Sequence, residues 1–258
     1  MVMAKIFPIG DLHIESMEQS RVFAEYLNQR PEDVVVLLGD VIHFTNSIWS
    51  PQEVPEAERV RALEEDISIW EDFVSRLSIS TIYYFGSHEM FALGVIKRLL
   101  PSKKLRLNTR FVLIPDNFQA IRLGPGDDVA YVMGIHVPDN IHPDVKSREF
   151  LERKRMIEEW LSKKVEGLKV EEPERTVLCT HDPCDVHYRN LGYGALTRML
   201  QKWPFKVHYH AHIHSNLRRV VVGVTPSVNR SFIALAKFEP KALEPAIDEI
   251  KKLYGRKI

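Results

Sequence analysis

Five short apolar runs in this 258-residue chain end on the same kinds of residue. Lys5 to Ile9 is followed by Gly10-Asp11-Leu12-His13, and Asp33 to Leu38 by Gly39-Asp40-Val41-Ile42-His43. Thr81 to Phe85 runs into Gly86-Ser87-His88-Glu89, and Thr176 to Thr180 into His181-Asp182-Pro183. Lys206 to Tyr209 runs into His210-Ala211-His212-Ile213-His214. Short continuous apolar runs fit strands buried on both faces. In open α/β sheets the carboxyl ends of strands converge on one crevice, so these Asp and His side chains are expected to meet in space. Burying several ionisable groups together is costly unless something compensates. The chain is therefore confined to folds that gather strand ends around a shared partner for those charges.

The segments between the runs supply the rest of the architecture. Met17 to Arg30 carries Val22, Phe23, Tyr26 and Leu27 at helical spacing, with Ser16 placed to cap it. Strand, helix, strand implies a right-handed parallel crossover. Val54 to Leu77 is a long amphipathic helix with Val60, Leu63, Ile67, Trp70, Val74 and Leu77 three and four apart, and Asp144 to Leu168 is a second long helix. Arg110 to Ile114, Phe118 to Leu123 and Val129 to Ile135 are separated by Pro115-Asp116-Asn117 and Gly124-Pro125-Gly126-Asp127, which reads as antiparallel hairpins. Leu217 to Val222 and Phe232 to Phe238 read as further strands, and Pro240 to Tyr254 as a closing helix. With no internal repeat or linker, and Glu166 to Glu174 read as a surface loop, residues 1–258 are expected to form one α/β domain.

Charge and composition narrow the function. Lys plus Arg is 35 and Asp plus Glu is 35, which disfavours a globally basic nucleic-acid binder. The two cysteines, Cys179 and Cys184, are too few for a disulfide framework or a four-thiolate zinc site and read as reduced thiols. No targeting segment is visible and no stretch approaches the ~18 apolar residues of a membrane span, so the expectation is a cytoplasmic protein. The 11 histidines outnumber the 8 tyrosines, and a metal pair would explain where they sit. Carboxylate oxygen and neutral imidazole hold manganese, iron or zinc, and two such ions ~3.5–4 Å apart are a standard phosphoester-cleaving device. Asp-x-His puts alternate side chains on one side of an extended segment, so Asp11 and His13 reach one ion; His212 and His214 do the same from the other side. Asp40, with two carboxylate oxygens, is suited to bridge both ions.

Asp-x-His, Gly-Asp, Gly-x-His-Glu, a lone His before Pro, and a final His-x-His, in that order, resemble the calcineurin-like metallophosphoesterase superfamily. The motifs span Asp11 to His214. The resemblance implies a four-layer αββα sandwich of two mixed β-sheets flanked by helices. It implies hydrolysis of phosphate mono- or diesters by a metal-bridged hydroxide at a dinuclear site holding manganese, iron, zinc or nickel. Asp11, His13, Asp40 and His214 would hold the first ion; Asp40, Ser87, His181 and His212 the second; His88 would assist the leaving group. Three positions depart from the pattern. Ser87 stands where the family has Asn, and a hydroxyl is a poorer ligand, so the second site is expected to be weak or completed by water. His43 stands where many members have an Asp that orients the catalytic His; there the chain resembles the DNA-repair nuclease branch. Ala211 replaces a Gly.

Two other readings stay open: a nuclease, and a non-catalytic scaffold with a degraded second site. A small phosphoester is the expected partner, nucleic acid is the second candidate, no membrane is involved, and the oligomeric state is not written in the sequence. Among the remaining residues, His208 reads as core, His210 as support for a ligand, His136 as pocket-lining, and His142 and His187 as loop residues. Asp182 and Glu89 read as loop-ordering groups, and Lys103-Lys104 and Arg218-Arg219 as solvated faces. Segments 43–58, with Trp49, and 137–147 are the candidate specificity inserts.

Overall fold

Val35 and Leu37 pack against helices while Val36 and Leu38, their neighbours in sequence, pack against a second sheet. This double burial is what the continuous apolar runs encode. The computed structural model describes residues 5–44, 54–106, 110–113, 118–123, 129, 131–135, 148–186, 192–215, 219–244, 248 and 252–253. Strands β1 (Ile6–Ile9), β2 (Val34–Leu37), β3 (Ser80–Tyr83) and β4 (Phe111–Leu113) form a four-stranded sheet in that order, parallel throughout. The second sheet contains β5 (Ala120–Arg122), β6 (Tyr131–Ile135), β7 (Thr176–Thr180), β8 (Val207–His210), β9 (Arg219–Val222) and β10 (Thr225–Asn229), ordered β5-β6-β7-β8-β10-β9. It is antiparallel only at its two edges, β5–β6 and β10–β9.

Helices cover both outer faces. Helix α1 (Met17–Asn28), α2 (Glu56–Arg76), α3 (Ser87–Leu99) and α6 (Phe232–Phe238) set Phe23, Trp70, Ile96 and Phe232 against the four-stranded sheet. Helix α4 (Arg148–Gly167) and α5 (Gly194–Lys202) set Leu161 and Met199 against the six-stranded one. The fold is the expected αββα sandwich. Between the sheets Tyr84 lies flat against Gly134, where a Cβ would come within 1.6 Å of the ring, and its hydroxyl donates to the Val132 carbonyl at 3.3 Å. Ser16 caps α1 as predicted, accepting from Gln19 N at 3.2 Å. Both cysteines are buried and neither is in a disulfide. Among the described residues no helix is long and apolar enough to cross a membrane.

Three local expectations are corrected. The segment around Phe111–Leu113 is no hairpin arm with the strand after it: it pairs parallel with β3 and closes the first sheet, while β5 begins the second. Phe232–Phe238 is a helix, because Phe232, Leu235 and Ala236 share one buried face three and four apart. The predicted helix from Pro240 is, in its described first part, a 3-10 turn over Pro240–Leu243. A strand the sequence hid, β10, sits centrally between β8 and β9; its Pro226 is opposite β9 but precedes the register with β8, which starts at Ser227, so the missing N–H breaks no β8 bond.

Candidate metal centre

The loops after β1 and β2 are tied to each other beyond the strands. Asp11 N donates to Gly39 O (2.9 Å), His13 N to Asp40 O (3.0 Å), Ile14 N to Val41 O (2.8 Å) and His43 N to Ile14 O (3.0 Å). Within this extension the backbone is left-handed at Asp11 (φ 56°), His13 (φ 45°) and Asp40 (φ 50°), and on the opposite loop at His212 (φ 63°). Strand alternation therefore does not explain how Asp11 and His13 converge. Tight left-handed turns aim them inward, at about 1–3 kcal/mol of strain per residue, the kind of strain that collects at functional sites. Gly39 (φ 90°) and Gly86 make room: a Cβ on Gly39 would meet Gly86 N at 2.2 Å, and one on Gly86 would meet Asp40 Oδ1 at 2.2 Å. Ala211 replaces glycine without strain on its own account, because the residue it packs against is Gly10.

Six of the sequence-predicted residues meet as two triads. The donor atoms of Asp11, His13 and His214 lie within 4.8 Å of one another, as do those of Asp40, His181 and His212. His181 Nδ1 lies 2.9 Å from the Leu38 carbonyl, which can only accept, so this nitrogen carries the hydrogen. Its Nε2 then faces the crevice, 3.1 Å from Asp40 Oδ2 and 3.0 Å from His212 Nδ1. A backbone carbonyl fixing the outer nitrogen is how metal-ligating imidazoles are commonly oriented. His214 Nε2 is 3.3 Å from Asp11 Oδ2, close enough for an ion pair.

Asp11 and His13 test whether metal suits this crevice. Both ring nitrogens of His13 are buried with no hydrogen bond among the described residues, and the buried carboxylate of Asp11 meets only imidazoles there, His214 at 3.3 Å and His181 at 3.8 Å. Buried polar atoms are nearly always satisfied, and divalent metal is what this donor set of carboxylate and imidazole accepts. The electrostatics agree. Burial works to raise the Asp11 pKa, but His214, His181 and His13 hold it well below the usual carboxylate range. Burial likewise works on Asp40, where His181 and His88 prevail and hold it low. Burial pushes His13 down to about 3 against the pull of Asp40 and Asp11, so its imidazole is neutral.

Ser87 opens α3 and points at Asp40, its hydroxyl donating to Oδ2 at 3.0 Å. The next backbone N–H, of His88, donates to Asp40 Oδ1 at 2.8 Å, so the amino end of α3 also holds this carboxylate. His88 Nε2 lies 3.9 Å from Asp40 Oδ2. His13, His43 and His88 form a third cluster, with His88 4.9 Å from His13 and 5.4 Å from His43 between ring centroids. Sequence reasoning missed the partner of His43: Glu15 Oε1, 3.6 Å from Nε2. The sequence carried only a weak signal, Glu15 two residues beyond His13, because the left-handed turns there break the alternation. Asn229 was missed as well; it donates to the Ile213 carbonyl at 2.7 Å and so braces the loop between His212 and His214.

The supporting residues fall largely where the sequence put them. Glu89 is buried and ties both loops, accepting from Asp40 N (2.8 Å), Val41 N (2.8 Å), Ile42 N (3.3 Å) and Gly86 N (2.9 Å). Asp182 accepts from the Thr180 hydroxyl through its carbonyl. His208 is core, its nitrogens 2.7 Å from the Ser227 hydroxyl and 2.8 Å from that of Thr180. His210 is buried with Nδ1 3.1 Å from the Ala211 carbonyl. His136, His142, His187, Trp49 and the segment 137–147 lie outside the described residues.

Two sheets packed face to face, with carboxylates and imidazoles gathered on their facing loops, define a metal-dependent hydrolase scaffold. The chain belongs to the calcineurin-like phosphoesterase family, whose sequence profile matches residues 4–216, and is a metal-dependent phosphoesterase. No curated protein matches it by sequence. Among solved structures it is similar to the phosphopantetheinyl hydrolase of Mycobacterium tuberculosis, at 14% identity and a TM-score of 0.51, covering 94% of this chain and 95% of that one. A dimetal phosphatase from Danio rerio aligns at 12% identity and a TM-score of 0.47, covering 89% and 88%.

Proposed function

We propose that this phosphoesterase is dinuclear and acts on a phosphate mono- or diester of a small molecule. Asp11, His13, Asp40 and His214 would hold one ion. Asp40, His181 and His212 would hold the other, with Ser87 or a water it orders completing the set. The observation that carries this reading is the pair Asp11 and His13, the first buried among imidazoles alone and the second buried with neither ring nitrogen hydrogen-bonded among the described residues, in a triad adjoining a second triad. Asp40 supports it as the shared ligand: it contacts His181 and bears on His13 more strongly than Asp11 does.

Two divalent ions held there would offset charge on the phosphoryl oxygens and lower the pKa of water enough to supply hydroxide as the nucleophile. The chain does the remaining work. His88 stands at the mouth of the crevice, less exposed than His43, and donates a proton or hydrogen bond to the departing oxygen. His43, held by Glu15, packs beside His88 and limits its rotation. The test is hydrolysis of p-nitrophenyl phosphate and bis(p-nitrophenyl) phosphate with manganese, nickel or zinc. Metal-dependent turnover of either ester is expected; none with any of the three, in folded protein, overturns the reading. A second reading, cleavage of a polynucleotide, rests on His43 beside His88. Incubation with single- and double-stranded DNA and manganese decides between them.

A further inference from the structure

The sandwich has an edge along β1 that is bridged only at its metal-centre end among the described residues, where Gly10 pairs with Ser231. β1 is the edge strand of its sheet. Lys5 and Ile9 turn their carbonyls to Val34 N (3.2 Å) and Leu38 N (2.8 Å), so alternation turns Pro8 to the open side. Its missing N–H costs no ladder bond there, and its carbonyl accepts from Arg230 Nε at 3.0 Å. A cleft of about 360 Å³ runs along this edge, lined by Phe7, Val228, Tyr209, Arg30, Arg219 and Arg230 among others. Arg30 and Glu32, also in its wall, precede β2, whereas Asp40 follows it; at the other end of the cleft the Arg230 backbone carbonyl accepts from Gly10 N, while its side chain turns away to Pro8.

Three arginines line this cleft, and among its described lining residues Glu32 is the one carboxylate. Arg30 is committed to Glu32 by two bonds of 3.0 Å and lies 4.1 Å over the Phe7 ring. Arg230 is half-buried, 5.5 Å from the same ring, and bonds only the Pro8 carbonyl from its side chain among the described residues. Burial works against its charge, Tyr209, Tyr26 and Glu239 offset part of that, and Arg219 adds like-charge repulsion. The Arg219 guanidinium is exposed and has no ion pair among the described residues. Two guanidinium forks close enough to repel, over an apolar floor, suit an anion with two charges and an organic body.

We infer that this edge cleft binds a small organic phosphate, its dianionic head held by Arg219 and Arg230 and its apolar part against Phe7 and Val228. The site is independent of the proposed metal chemistry. Phenylphosphonate, which a phosphoesterase cannot cleave, is the probe, titrated calorimetrically into the full chain as purified. Asp11→Asn, which disables the metal centre, should leave one binding event intact. Arg219→Gln should weaken that event about 10-fold or more, the scale of one lost charge-assisted contact, and should leave aryl phosphate hydrolysis unchanged. Arg219→Lys, which keeps the charge but not the fork, should fall between. Arg230→Gln should abolish the event; should it fail to fold, having lost its bolt to Pro8, Arg219→Gln still decides. No binding, binding that Arg219→Gln does not weaken, or loss of all binding in Asp11→Asn overturns the inference.

Discussion

Four backbone N–H groups from two loops end on the Glu89 carboxylate, so this one side chain sets where Asp40 sits. Glu89→Gln would keep the shape but present an NH₂ to N–H donors, leaving some of them buried and unmet at about 1–3 kcal/mol. The expected result is a lower urea midpoint and reduced metal per chain; an unchanged metal count would show that Glu89 does not position Asp40. At Ser87 the prediction runs the other way. Its hydroxyl reaches Asp40, but a serine is a weak ligand, so Ser87→Asn should raise occupancy of the second ion, read by elemental analysis. Equal occupancy in both proteins would clear Ser87 of limiting that site. The histidines add a pH dependence. Burial disfavours a proton on His181, yet Asp40 and Asp11 outweigh it and raise its pKa, and Asp11 does the same for His214. Burial leaves His13 and His212 lowered and already neutral. An ion must therefore displace protons from His181 and His214, so affinity should climb as pH rises through and above the ordinary histidine range, near ~6.5. Calorimetry in two buffers of different ionisation heat should show proton release; identical heats would reject it.

Elements were legible in proportion to how directly burial dictates sequence. β1, β2, β3 and β7 are buried on both faces, and an unbroken apolar run followed by Gly-Asp or His identified each one and the residues after it. Phe232–Phe238 shows the limit, because six apolar residues and one lysine fit a buried strand or a short helix equally well until the facing sheet is known. β10 was hidden by Pro226, and β4 was placed in the wrong sheet because alternation says which face is buried but not which strand lies alongside. At the site, the ligand residues were legible as types at strand ends, but their aim was not. Left-handed turns at Asp11, His13, Asp40 and His212 depend on the facing loops, as does the Glu15–His43 contact. The same dependence makes Gly134 critical, since β6 and β3 approach closely only because Tyr84 can lie on it. Gly134→Ala should destabilise by about 1–3 kcal/mol, visible as a lower urea midpoint with an unchanged slope. A midpoint within error of the parent would mean the sheets can part without penalty.

Each proposed ion draws ligands from both halves of the molecule. Asp11 and His13 come from the four-stranded sheet and His214 from the six-stranded one; Asp40 comes from the first and His181 and His212 from the second. Away from the site the interface between the sheets is built mainly from the apolar Val36, Leu38, Ile82, Tyr84, Val132, Val177 and Cys179, with the Tyr84 hydroxyl donating to the Val132 carbonyl and, among the described residues, a backbone bridge from Gly10 to Ser231 near the site. Metal therefore acts across the same plane that the sheets would part along on unfolding. An ion present at 100 times its Kd adds about 2.7 kcal/mol, and for a chain of this size each kcal/mol moves Tm by about 2–4 °C. Chelation should then lower Tm by about 5–10 °C for each ion removed, and Asp11→Asn should lose only the share belonging to its own triad. The metal-free protein is expected to stay folded, because His181–Asp40 at 3.1 Å and His214–Asp11 at 3.3 Å keep opposite charges paired across the plane. Those pairs hold only while His181 and His214 are protonated, since their raised pKa values supply stability at low pH that fades as pH climbs through them. The gap in Tm between metal-loaded and chelated protein should accordingly widen with rising pH above the ordinary histidine range. A gap that stays constant there would mean that the ions and the protons do not compete for the same crevice.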